Sequence, residues 1–146
     1  MFLVSVFILS GCETAQYNAQ YGNSLNNLPE PQVGKGIICT IRPSAFVGAA
    51  CSWNLFMDGQ LSGRLLSGSY IYQIVDPGKH TVNITGGDLI GFPIEINAKA
   101  GETIYLKTRG AMGLWEGQVF IEVCPLEKAR EYIKKYPSVN IKSDTP

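Results

Sequence analysis

The stretch YIYQIVDPGKHTVNIT, Tyr70 to Thr85, decides the fold. Its first part, Tyr70 to Val75, is aromatic and β-branched, which suits a pleated surface. Asp76-Pro77-Gly78-Lys79 then turns the chain. Pro77 presets φ at the second turn position, and Gly78 takes the positive φ at the third. The chain leaves the turn through His80 with Thr81, Asn83 and Thr85 opposite Val82 and Ile84. That period of two is the mark of a half-buried strand.

The same pattern recurs outward in both directions. Lys35 to Arg42 places Ile37, Cys39 and Ile41 on one face, and Cys51 to Met57 places Cys51, Trp53, Leu55 and Met57 on one face. Asp58-Gly59 is a two-residue hairpin signal, since both central residues of a type I′ turn need positive φ. Leu61 to Leu66 is its partner strand, and Gly68-Ser69 turns the chain into Tyr70. Downstream, Gly86-Gly87-Asp88 breaks the pattern. Leu89 to Ala98 is the next strand, with Pro93 marking an edge or a bulge near its start. Ala100-Gly101 turns again, Glu102 to Thr108 alternates, and Gln118 to Val123 puts Val119, Ile121 and Val123 on one face. Pro125 to Tyr136 is the one good helix. Pro125 fits its first turn, and Leu126, Ala129, Ile133 and Tyr136 are spaced as one apolar stripe. The expected fold is mainly β: an antiparallel sandwich, immunoglobulin-like or transthyretin-like, of seven or eight short strands with one C-terminal helix.

Composition agrees. The chain has 146 residues, 45% hydrophobic and 16% charged, with 16 Gly and 8 Pro falling between apolar runs. Lys+Arg and Asp+Glu number 12 each. A balanced charge argues against a general nucleic-acid binder, which needs a basic surface. One His excludes a multi-His metal site, and no cofactor is expected.

The N-terminus reads as a processing signal. Residues 1–11, MFLVSVFILSG, are apolar and far short of the roughly 20 residues that span a bilayer. Leu9-Ser10-Gly11-Cys12 resembles the bacterial lipobox, which implies that Cys12 is the lipid attachment residue: its thiol forms a thioether to a glyceryl lipid. No Lys or Arg precedes Cys12, so the translation start is expected upstream of Met1. Several acyl chains would anchor the protein stably in a membrane. Glu13 is not the Asp that bacterial sorting uses for the inner membrane, so the expected location is the outer membrane, facing the periplasm. Residues 12–32, rich in Asn, Gln, Pro and Ser, are expected to be a flexible tether. The domain is expected over residues 33–137, and residues 138–146 as a tail.

From Gly36 to about Tyr136 the chain resembles a bacterial lipoprotein family known as domain of unknown function 2846 (DUF2846). The residues that carry the resemblance are Ile41-Arg42-Pro43-Ser44 with Phe46-Val47-Gly48, and Met57-Asp58-Gly59 with Gly63. Asp76-Pro77-Gly78-Lys79-His80-Thr81 and Ala100-Gly101-Glu102-Thr103-Ile104-Tyr105 complete it. The resemblance implies a lipobox and no catalytic residues, since the family carries no established activity. Pro77 to Val82 also resembles short envelope modules with a Pro-Glu-Gly-like turn, which implies a β-fold.

Candidate sites follow from residue type. In an oxidising envelope Cys39 and Cys51 are the candidate disulfide pair, because both fall on core-facing sides of two neighbouring strands; the alternative is buried free thiols. His80 is expected to be a solvent-facing strand residue, and Asp58 and Asp76 to be turn formers. Two apolar loops, the uncharged Pro43 to Ala50 and Gly110 to Gly117, carry Phe46, Met112, Leu114 and Trp115, which either tuck under the sheet or form a partner-contact patch. No nucleophile, acid–base pair or phosphate loop is present as a motif, so no enzyme is expected. The expected function is a non-catalytic accessory subunit that touches another envelope protein. The alternative is a carbohydrate or peptidoglycan binder that stacks sugars on Trp53, Trp115 or Tyr rings.

Overall fold

A computed structural model describes residues 28–45, 50–87, 89–112 and 117–139, with Met112 described by its backbone. Nine strands and one helix follow in order: β1 (Gly36–Arg42), β2 (Trp53–Met57), β3 (Gln60–Leu65), β4 (Ser69–Val75), β5 (Gly78–Thr85), β6 (Ile90–Phe92), β7 (Ile94–Ala98), β8 (Thr103–Met112), β9 (Gly117–Val123) and α1 (Leu126–Lys135). They form a five-stranded sheet in the order β4-β1-β8-β9-β6 and a four-stranded sheet in the order β3-β2-β5-β7. The mainly β, sandwich-like fold read from the sequence is the observed one, with more strands than expected.

The extra strand comes from Pro93. The run Leu89 to Ala98 is not one strand: β6 pairs with β9 in the five-stranded sheet, and β7 pairs with β5 in the other. Pro93, which has no N–H to give to a ladder, stands at the crossing. The turn at Asp76-Pro77 crosses likewise, from β4 beside β1 to β5 beside β2. Asp58-Gly59 does close the β2–β3 hairpin, with φ of 52° and 78°. The larger sheet is not wholly antiparallel. β1 runs parallel to β8, and β6 parallel to β9.

The layers explain why both faces of β1 are buried along its whole length. On its inner face, Ile38, Ile71, Leu106 and Val119 pack against Leu55, Val82, Ile84 and Ile96 of the smaller sheet. On its outer face, Cys39, Ile41 and Tyr70 pack under Ala129, Ile133 and Tyr136 of the helical segment. Full burial of one such side chain as Ile133 contributes about 1.5–3 kcal/mol, enough to hold α1 on the sheet. The helix starts after Pro125, carries Glu127 in its first turn, and carries Lys134 and Lys135 in its last, matching its dipole.

Four expectations need correction. Leu126 is exposed, so the helix stripe begins at Ala129. Val123 is exposed as well, because β9 ends there and Cys124 takes the buried position under the helix. The domain runs past its expected end: Ser138 bridges Tyr70, and the buried Val139 donates its N–H to the Tyr70 carbonyl. Finally, the Cys39–Cys51 disulfide does not form. Cys39 is a free thiol, and Cys51, itself disulfide-bonded, precedes β2 of the other sheet. Alternation places Cys39 on the outer, helix-covered face of β1.

Candidate functional site

β1 and β8 are parallel neighbours, so both run toward the same end of the sandwich. The two apolar loops therefore leave the sheet at one end. Phe46, Leu114 and Trp115 lie outside the described residues, as does Cys12; Met112 is the last residue of β8.

The frame beneath those loops is described. Arg42, the last residue of β1, is buried between the sheets and stacks 3.6 Å above the centroid of Trp53. Its Nη1 donates to the carbonyls of Cys51 (2.6 Å) and Leu65 (2.9 Å). Burial draws its pKa down to about 10, which leaves it cationic at neutral pH. One face of the Trp53 indole is thereby occupied. Tyr136 Oη accepts from the Ser44 N–H (3.1 Å), and Ser67 Oγ accepts from the Ala45 N–H (3.2 Å). These polar contacts fix Ser44, Ala45 and the strand end that precedes them.

The outer face of the five-stranded sheet differs from side to side. α1 covers β4, β1 and part of β8. Beyond it, Arg109, Phe120 and Phe92 are register partners across β8, β9 and β6. Phe92 and Phe120 stack with centroids 4.7 Å apart and planes 3° from parallel. The Arg109 guanidinium lies 4.8 Å over the other face of Phe120, a cation–π geometry. Phe92 is 42% exposed and its neighbour Ile90 40%. Phe92 ends the row at an edge strand, where nothing extends the stack among the described residues. Gly91 lets β6 sit there: a Cβ on it would come within 1.8 Å of the Ile84 carbonyl oxygen. Sequence reasoning missed this row. Its only local signal is the uncharged run Leu89-Ile90-Gly91-Phe92-Pro93, which reads equally well as core.

The opposite end is polar. His80 is not solvent-facing; its side chain is 14% exposed. It shares parity with the buried Val82 and Ile84, so it points inward. Its Nδ1 lies 2.7 Å from Asp58 Oδ2, and its Nε2 lies 2.7 Å from the Asp76 carbonyl oxygen. The Thr81 N–H donates to Asp58 Oδ1 (2.9 Å), and the Asp58 N–H donates to the Thr81 carbonyl (2.8 Å). Asp76 Oδ1 in turn accepts from Lys35 Nζ. The bonds to the Asp76 carbonyl and to Asp58 raise the His80 pKa, and the His80 bond holds Asp58 below its ordinary carboxylate value. Both ring nitrogens of His80 are thus engaged within the domain, one by Asp58 and one by a backbone oxygen.

The buried thiols are equally closed. Burial pushes Cys39 and Cys124 up, and Cys124 raises Cys39 further. A thiol kept protonated is a poor nucleophile. The apolar end differs: among the described residues it exposes aromatic and aliphatic side chains with one stacked guanidinium.

A family described as a protein of unknown function (DUF2846) matches residues 32–119, more than half of the chain. A search of curated proteins finds no match.

Proposed function

The chain belongs to the DUF2846 family, and from that premise we propose that it is a lipid-anchored bacterial envelope protein whose sandwich binds another envelope protein without catalysis. The observation that carries the reading is the Arg109–Phe120–Phe92 row at the uncovered edge of the larger sheet. Phe92 and Ile90 expose apolar surface next to β9, whose first residue, Gly117, follows the 113–116 loop. Aromatic side chains and Arg are the residue types enriched in interface hot spots. The proposed contact surface therefore combines Ile90, Phe92 and Phe120 with Phe46, Leu114 and Trp115. The membrane part of the reading rests on Leu9-Ser10-Gly11-Cys12, with Cys12 carrying the lipid and the outer membrane as the site.

The glycan alternative gains less support. One face of the Trp53 ring is taken by Arg42, and Phe120 is covered on both faces of its ring by Arg109 and Phe92.

The test is crosslinking of the intact protein in living envelopes, with captured species identified by mass spectrometry. One dominant protein, lost on Trp115→Ala at unchanged melting temperature and on Phe92→Ala with the fold retained, is the expected result. Glycan strands captured without protein would replace this reading by the alternative. The same spectra weigh the N-terminus. A diacylglyceryl mass on Cys12 is expected, and an unlipidated Cys12 held in a disulfide would remove the anchor.

A further inference from the structure

The polar end of the sandwich carries a device that the binding reading does not use. Both ring nitrogens of His80 face acceptors: a carboxylate oxygen at Nδ1 and a backbone carbonyl oxygen at Nε2. A carbonyl oxygen cannot donate, and neither can an ionised carboxylate. Only the imidazolium, with a proton on each nitrogen, satisfies both. A neutral ring keeps one bond and sets a lone pair against the other acceptor.

We propose that His80 is a pH-operated latch, closed as imidazolium and opened by loss of the Nε2 proton. Asp58 retains the other proton because a carboxylate is the stronger acceptor. The bond released is therefore the one to the Asp76 carbonyl, and the proton passes to solvent. Opening frees the turn between β4 and β5, where Asp76 also holds Lys35. That lysine lies one residue before β1, so the latch governs how the incoming chain is fastened to the domain.

The surrounding charges are few. Asp58 faces the ring from the β2–β3 turn, Asp76 from the β4–β5 turn, and Lys35 through Asp76. From β7 the register partner is the apolar Ile96. Glu95, opposite Thr81, and Lys79, opposite Asn97, belong to the alternate rows of the ladder. The sign follows from the direction of the shift. A folded-state pKa raised above 6.5 gives a contribution that is whole below that value and is lost as the pH rises through the raised one. Asp58, lowered from 3.8, gives one that is present above that value and lost as the pH falls through the lowered one.

The chain has one His, so its imidazole resonances titrate without overlap. The experiment follows the His80 ring signals from about pH 5 to about pH 9, the span in which imidazole titrates. Amide protection at Gly78 and Lys79 is read in the same samples against that at Thr40 in β1. The expected midpoint lies above 6.5, with the remaining proton on Nδ1 at high pH. Protection at Gly78 and Lys79 should fall several-fold across the midpoint while Thr40 holds. In Asp58→Asn the midpoint should move down, which keeps the test available if His80→Gln does not fold. A midpoint at or below 6.5, or protection at Gly78 and Lys79 that ignores the titration, would overturn the latch.

Discussion

The two ends of the sandwich solve the problem of chain reversal in opposite ways. At one end the connections are short turns built from Asp58-Gly59 and Asp76-Pro77, and polar side chains tie them together. At the other end longer, mostly apolar loops leave the sheets, over a buried Arg42 and beside an exposed aromatic row. The difference teaches where binding can reside. A turn whose polar groups are largely tied to one another has less left for a partner, whereas exposed apolar side chains on a sheet have surface still to bury. On the two proposals made above, the first end would answer to protons and the second to a partner.

The largest effect should come from the apolar end, where β6 lies against the backbone of β5 at Ile84. Gly91→Ala would set a Cβ against the Ile84 carbonyl oxygen, backbone against which no rotamer can give way. Loss of about 3 kcal/mol or more is expected, read as a lower urea midpoint, together with loss of the Phe92–Phe120 stack. A near-neutral variant would show that β6 is not held as described. Next comes Arg42→Met, which keeps the volume over Trp53 and removes the donor to the Cys51 and Leu65 carbonyls. Roughly 2 kcal/mol should be lost. The His80 titration should stay where it is, since the two sites lie at opposite ends.

Asp58→Asn breaks the polar end alone. Its deficit in melting temperature against the parent chain should be greatest where Asp58 is ionised and His80 is charged. It should fade as the pH rises through the raised His80 pKa, and again as it falls through the lowered Asp58 pKa. A deficit that is flat with pH would assign Asp58 to turn geometry only. Phe92→Ala, on a side chain half open to solvent, should cost about 1 kcal/mol, the scale of an aromatic pair. It should abolish partner capture all the same.

Particular residues show how much of this was legible in the sequence. Strand and helix positions followed from alternation and turn chemistry, because those are local. Which sheet each strand joins was not legible: Pro93 signals an interruption but not that the chain changes sheet across it. Cys39 was placed on the correct face of β1, yet that face looks at the helix, and sequence parity cannot say which face meets which layer. His80 was legible and missed. It shares parity with Val82 and Ile84, and that pattern alone turns it inward. The Arg109–Phe120–Phe92 row joins three strands through a parallel pairing of β6 with β9. No local pattern encodes such a pairing.

The smallest effect belongs to neither end. Thr40, midway along β1, faces the inner core between Ile71 and Leu106 in the ladder. Its Oγ1 is buried and has no hydrogen-bond partner among the described residues. A hydroxyl desolvated without a partner is a net cost, and Val has nearly the same shape without it. Thr40→Val should therefore raise stability, by up to about 1 kcal/mol. Because Thr40 touches neither the latch nor the aromatic row, the gain should be the same on both sides of the His80 titration. It should also add to the Asp58→Asn loss without coupling. A gain that changed with pH would mean that the polar end communicates with the middle of the larger sheet, and the two ends would no longer be independent.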